Sequence, residues 1–192
     1  MKNHFRTDNS SYHVLDYSVA TGKVKRKKTV QGYADESAWS RGQSWALYGY
    51  TMIYRCTNDP AYLEQAKKIA EFLTNHPNLP KDKIPYWDFN APVTKTTYRD
   101  VSASSIMASA LLELGQYVDE ANRNKYVGIA TKIMQSLSKK AYRAKPGENG
   151  GFILKHSVGS LPHKSEVDVP LTYADYYFIE ALLRYQKWYL DK

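Results

Sequence analysis

Two stretches of this chain repeat one another at a fixed interval, and that repetition limits the folds open to it more than any single motif. Tyr62, Ala66, Lys68, Ile69 and Leu73 recur as Tyr126, Ala130, Lys132, Ile133 and Leu137, each pair 64 positions apart. In both stretches apolar residues return every three or four positions and charged residues fill the other side, the pattern of a half-exposed helix. Each is preceded by a segment that is apolar or aromatic nearly all round, residues 37–55 and 101–118. Helices of that kind are buried. Asp35 and Ser37 introduce the first such segment, Asp100 and Ser102 the second, and Asp168 with Pro170 a third that runs to Trp188. Self-similarity at this period marks a repeat architecture.

The repeat unit is therefore a buried helix, a short turn, an exposed helix and a long return. Asp59 and Pro60 form the sharp turn between the first pair, as N-cap and first helical residue. The sequence predicts one domain over residues 1–192 of all-α class, a partial α/α toroid with inner and outer helices. Helical hairpins are expected over 36–75 and 102–140 (helices near 36–56, 60–75, 102–118 and 122–140), with a last inner helix over 171–190. Alternating YHVLDYSV, the ATGK turn and KVKRKK predict a β-hairpin over 11–30. Two hairpins and one further inner helix make an arc, about half a ring.

The returns, about residues 76–100 and 142–169, exceed the usual length of about 4–6 residues. With the β-hairpin they feed the N-terminal ends of the inner helices, so their residues gather at one mouth. Helix N-termini there suit a carboxylate ligand. The mouth is the candidate site.

Composition excludes some classes. Hydrophobic residues make up 43% and charged residues 24%, and no apolar run approaches the roughly 20 residues of a membrane span. Cys56 is the single cysteine, so no internal disulfide is expected. MKNHFRTDNSSYHV lacks the roughly 7–15-residue apolar core of a secretory signal, so the chain is expected to be cytoplasmic, or periplasmic if a signal precedes it. The formal charge of +8 favours anionic partners. Only KVKRKK is a basic cluster, and without a nucleic-acid motif it reads as a solvated strand face, so neither nucleic acid nor membrane is expected as a partner.

The opening of the first buried helix is unusual. Trp39, Arg41, Gln43 and Trp45 stand within seven positions. Tryptophan planes suit the C–H face of a pyranose, and an arginine on an uncharged helix needs an acceptor partner. A uronate carboxylate is one; an internal pair with Asp35, Glu36 or Asp100 is the other. Asp35, Glu36, Asp100 and Asp168 recur before the buried helices and read as capping and helix-dipole residues, with catalysis by Asp35 or Asp100 as the other reading. His156, His163 and Asp168 show no spacing that fixes a metal, and none is expected.

YHVLDY, QGYADESAWSRGQSWALYGYTMIYR and SEVDVPLTYADYYFIEALLRY resemble the C-terminal half of the unsaturated glucuronyl hydrolases, glycoside hydrolase family 88. The resemblance implies half of an (α/α)6 barrel that removes the terminal 4,5-unsaturated uronic acid from lyase-generated glycosaminoglycan-type oligosaccharides, without a cofactor. It implies a substrate-binding wall of His13, Gln31, Trp39, Arg41 and Trp45, and places the two catalytic aspartates upstream of Met1. SVGS resembles a loop that in some relatives reads Ser-x-x-Ser-x-Lys and contacts a sulfate, which implicates Ser157 and Ser160; Pro162 stands in the lysine's place. The expected partners are an unsaturated uronic-acid oligosaccharide and either the other half of the barrel or a second copy. Unsaturated rhamnogalacturonyl hydrolases share the barrel, and RGQSW leans towards the glucuronyl group. A non-catalytic carbohydrate-binding module and a purely structural helical domain are the other readings.

Overall fold

The structure, a computed structural model, describes residues 2–191. It is mostly helical, with five α-helices and two small β-hairpins. Strands β1 (Val14–Tyr17) and β2 (Val24–Lys28) form the first hairpin, pairing antiparallel with Val14 opposite Lys28. Helices α1 (Ser40–Thr57) and α2 (Pro60–Asn75) follow, then α3 (Val101–Leu114) and α4 (Glu120–Leu137). Strands β3 (Ser157–Ser160) and β4 (Ser165–Val169) form a second antiparallel hairpin before α5 (Thr172–Tyr185), which widens into a π-helical turn over Gln186–Leu190.

The helix boundaries follow from local chemistry. Asn58 closes α1 in the left-handed conformation, and the Asp59 carboxylate accepts from Ala61 N at 2.9 Å to start α2 at Pro60. Asp100 and Asp119 cap α3 and α4 in the same way. The expected caps on the other two inner helices are corrected. Asp35 instead accepts from Thr29 N at 2.8 Å, and Asp168 lies inside β4. Helix α1 begins at Ser40 rather than 36 because the buried Asp88 carboxylate draws residues 33–37 into turns, accepting from Tyr33 N at 2.9 Å and the Ser37 hydroxyl at 2.7 Å.

Every residue of α3 is buried. It packs between α1 and α5, while α2 lies against α1 and α4 against α3, so α1, α3 and α5 form one layer and the amphipathic α2 and α4 a second; against the expectation for residues 37–55, α1 is partly exposed beyond Thr51, and α5 keeps an exposed face. Ile69 and Leu73 of α2 and their repeat partners Ile133 and Leu137 of α4 are all fully buried, each contributing about 1.5–3 kcal/mol. The serines of α3 are accommodated by bonding back to the helix, Ser104 and Ser105 both donating to Val101 O. Deeper in the layer Arg184 joins α1, α3 and α5, pairing with Glu113 at 2.9 Å and Glu180 at 3.4 Å and donating to Ser109 O and the Tyr48 hydroxyl.

Candidate substrate-binding wall

The N-terminal ends of α1 and α3 meet through a buried ion pair. Asp100 bends its carboxylate two ways: Oδ1 caps α3 through Ser102 N at 3.0 Å, and Oδ2 receives Arg41 Nη1 at 3.0 Å. Arg41 is 3% exposed. Its Nη1 also donates to Val158 O and its Nη2 to Gly159 O at 2.7 Å, so the guanidinium joins α1, α3 and β3. It packs 4.5 Å from the Trp39 ring and 5.3 Å from the Tyr173 ring. Of the two partners open to Arg41 in the sequence, the internal acid occupies it here.

His13 and Gln31 arrive from the first hairpin. The His13 ring lies 4.5 Å from Trp39, tilted by 31°. Its Nδ1 faces Val30 N at 3.2 Å, Gln31 N at 3.4 Å and the Thr29 hydroxyl at 3.2 Å, which makes Nδ1 the acceptor and leaves the proton on Nε2. Burial, reinforced by the Arg41 charge, holds the imidazole below its ordinary pKa. Gln31 Nε2 donates to Gly159 O at 2.8 Å. Thus His13, Gln31, Trp39 and Arg41 are brought together as the sequence predicts.

Trp45 stands one helical turn along α1, apart from that cluster. Its ring meets Tyr177 of α5 edge-on at 5.0 Å and Tyr48 at 6.3 Å. Trp39 is 7% exposed and is therefore a packed plane, whereas Trp45 is half-buried.

Ser157 and Ser160 lie on a strand, not in the expected loop. Ser157 Oγ is buried without a hydrogen-bond partner, and Ser160 Oγ pairs with His163 Nδ1 at 2.7 Å. His156 pairs with Asp168 at 2.7 Å. Among the described residues no group of three or more His, Cys, Asp or Glu side chains is placed to hold a metal, and no helix is long and apolar enough to cross a membrane.

Two contributors escaped the sequence reading, Gly159 and Tyr173. Tyr173 carries a faint signal, the spacing of four that puts it with Tyr177 on one face of α5. Two concavities lie away from this cluster: one of about 430 Å³ is walled by Lys140, Arg143, Lys145 and Phe152, and one of about 560 Å³ by Met134, Leu182 and Tyr185.

A protein from Formosa agariphila described as an unsaturated glucuronyl hydrolase is 49% identical over 186 residues, 97% of this chain and 46% of that protein. An unsaturated chondroitin disaccharide hydrolase from Streptococcus pyogenes is 34% identical over 95% of this chain and 45% of its own length. A solved unsaturated glucuronyl hydrolase specific for heparin superposes with a TM-score of 0.93 at 53% identity, over 97% of this chain and 50% of the other. The likeness is to the unsaturated glucuronyl hydrolases. These relatives belong to glycoside hydrolase family 88, and the helices and hairpins described above match their fold. The chain spans about half the length of the curated unsaturated glucuronyl hydrolases it matches. One such structure, of a Streptococcus agalactiae variant, is complexed with dGlcA-GalNAc6S; it superposes with a TM-score of 0.81 at 32% identity over 97% of this chain and 49% of that one. No family model matches the chain.

Proposed function

We propose that this chain supplies one substrate-binding wall of an unsaturated glucuronyl hydrolase acting on lyase-generated glycosaminoglycan-type oligosaccharides. The observation that carries the reading is the superposition of nearly the whole chain on a heparin-specific unsaturated glucuronyl hydrolase, with His13, Gln31, Trp39 and Arg41 gathered where α1 and α3 begin. His13 and Trp39 form the wall with hairpin β3–β4, which carries Ser157 and Ser160; Gln31 and Arg41 lie within it, and Trp45 extends it one helical turn along α1.

The reaction adds a proton to C4 of the enol ether and a water oxygen to C5; the C4=C5 π bond is lost, and the resulting hemiketal opens to release the next sugar. A carboxylic acid must deliver that proton and its carboxylate must assist the water. Asp100 is unsuited, because both its oxygens are bound in a buried pair and a helix cap. Asp35 accepts a backbone N–H. In line with the family resemblance, the acid–base pair is assigned to the N-terminal half of an (α/α)6 barrel, with α1–α5 as its C-terminal half. Exposed Tyr176, Ile179 and Leu183 on α5 supply an apolar flank for that half to cover.

Titration of the chain with an unsaturated uronic-acid disaccharide tests the wall. Saturable quenching of tryptophan emission, lost in Trp45→Ala, is the expected result. A folded chain with no affinity for the disaccharide at millimolar concentration favours the purely structural reading.

A further inference from the structure

Tyr33 is an exposed aromatic ring on a backbone that is held fast. The residue is 52% exposed, whereas Trp87, which its ring meets edge-on at 6.4 Å, is buried. Its amide donates to Asp88 Oδ2 at 2.9 Å. That carboxylate is itself fully buried, taking the Ser37 hydroxyl on the same oxygen at 2.7 Å and Asn90 N on the other at 2.9 Å. Just before Tyr33, Gly32 N donates to the Thr29 hydroxyl at 2.9 Å. The backbone there runs so close to its neighbours that an added Cβ at Gly32 would lie 2.6 Å from Thr29 Oγ1 and 3.2 Å from Trp39 Cβ. A single exposed tyrosine is ordinary on a protein surface. This one differs because a buried carboxylate and a close backbone approach fix it beside Trp39.

The ring also stands where a chain of sugars would leave the wall. Thr29 and Gln31, a few residues before it, contact His13 and Gly159 O. Trp87, its edge-on partner, packs with Val158 and Leu161 of the second hairpin. Tyr33 therefore borders both the His13–Trp39 contact and hairpin β3–β4. A terminal unsaturated uronate has one glycosidic neighbour, so the surface that receives it needs one closed side and one open side. Trp45, one turn into α1, is met edge-on by Tyr177 and Tyr48. Tyr33 precedes the start of α1 and is open, and its hydroxyl bonds to no group among the described residues.

We infer that Tyr33 is a specificity-determining residue for the second sugar, the one released when the uronate is removed. Its ring stacks on the C–H face of that pyranose, and its free hydroxyl bonds to the same sugar. This deepens the binding-wall reading and rests on it. The fixed backbone matters because a platform already in place costs little ordering when the ligand arrives. The contact is uncharged, so it recognises the pyranose itself and leaves any sulfate to other residues.

The test is calorimetric titration of the full 192-residue chain with three ligands: the unsaturated chondroitin disaccharide, its 6-sulfated form, and the methyl glycoside of the unsaturated uronate, which lacks the second sugar. Tyr33→Ala should weaken both disaccharides about tenfold, the scale of one aromatic contact, and leave the methyl glycoside unchanged. Tyr33→Leu, which keeps apolar bulk without a ring, should behave as Tyr33→Ala does. Tyr33→Phe should stay within about threefold of wild type, the scale of one neutral hydrogen bond. Trp45→Ala is the contrast and should weaken all three ligands. Undiminished disaccharide affinity in Tyr33→Ala, an equal loss for the methyl glycoside, or a loss confined to the sulfated disaccharide overturns the assignment and leaves the wall reading in place. A wild-type chain that binds none of the three ligands sinks the wall reading, and this assignment with it.

Discussion

The Arg41 guanidinium lies 3.0 Å from the Asp100 carboxylate, with both side chains shut away from solvent. Ion pairs of this kind gain little over an apolar pair of the same shape, but removing one partner strands the other charge. Arg41→Ala is expected to destabilise the chain by about 3–5 kcal/mol, read from urea unfolding. The double variant Arg41→Met/Asp100→Asn should lose less than the two single changes added together. A loss under about 1 kcal/mol for Arg41→Ala, the scale of an exposed pair, would mean the arginine is only loosely held and waits for a ligand.

The neutral state of His13 gives a pH dependence with a defined sign. Its folded pKa lies below the ordinary 6.5, because burial and then the Arg41 charge disfavour the imidazolium. Below that ordinary value the unfolded chain binds more protons than the folded one, so stability falls as pH drops through about 6.5 and levels off beneath the lowered folded value. His76, buried and lowered in the same direction, adds to the slope. His13→Gln should flatten part of the dependence. An unchanged slope in that variant would place the whole effect at His76 and the carboxylates.

Along α5, Tyr176, Ile179, Leu183 and, beyond it, Leu190 are 43–60% exposed. A run of large apolar side chains on one helix usually marks a surface that a partner covers. The isolated chain should self-associate in light scattering at high concentration and bind an apolar dye, and Ile179→Lys/Leu183→Glu should reduce both. A monomer with no dye binding at the same concentration contradicts the expectation of a covered flank.

The amphipathic helices were legible because their signal is local. Spacing alone placed Ile69, Leu73, Ile133 and Leu137 on the buried side, and the lack of charge in 101–118 foretold a helix buried all round. What failed depended on residues distant in the chain. Helix α1 starts late because Asp88, more than 50 positions away, reorganises the segment before it. SVGS has the small residues of a loop, and it becomes a strand because β4 pairs with it and Gln31 and Arg41 seize its carbonyls. Asp168 looked like a helix cap by position, yet it faces His156 across the hairpin. His13, Gln31, Trp39 and Arg41, which the family resemblance groups, do converge, whereas Trp45 stands apart. That Arg41 pairs with Asp100 rather than Asp35 or Glu36 was not legible, because the pairing depends on how α1 and α3 meet.

Turnover tests the proposal that the catalytic acid lies in the other half of the barrel. At this end of the helices Asp35, Asp88 and Asp100 all accept backbone N–H groups, and Asp100 also carries a buried arginine. Those bonds occupy carboxylate oxygens that a proton donor to an enol ether has to present to the ligand. Incubated alone with an unsaturated chondroitin or heparin disaccharide, the chain should leave the ultraviolet absorbance of the conjugated double bond unchanged. Addition of the N-terminal half of a related enzyme should restore its loss, and Trp45→Ala should then raise KM more than it lowers kcat, as expected for a residue that binds ground and transition states alike. Turnover by the unaided chain at a rate typical of glycosidases would overturn the argument. Asp35, the most exposed of the three acids, would then be the first to exchange for asparagine.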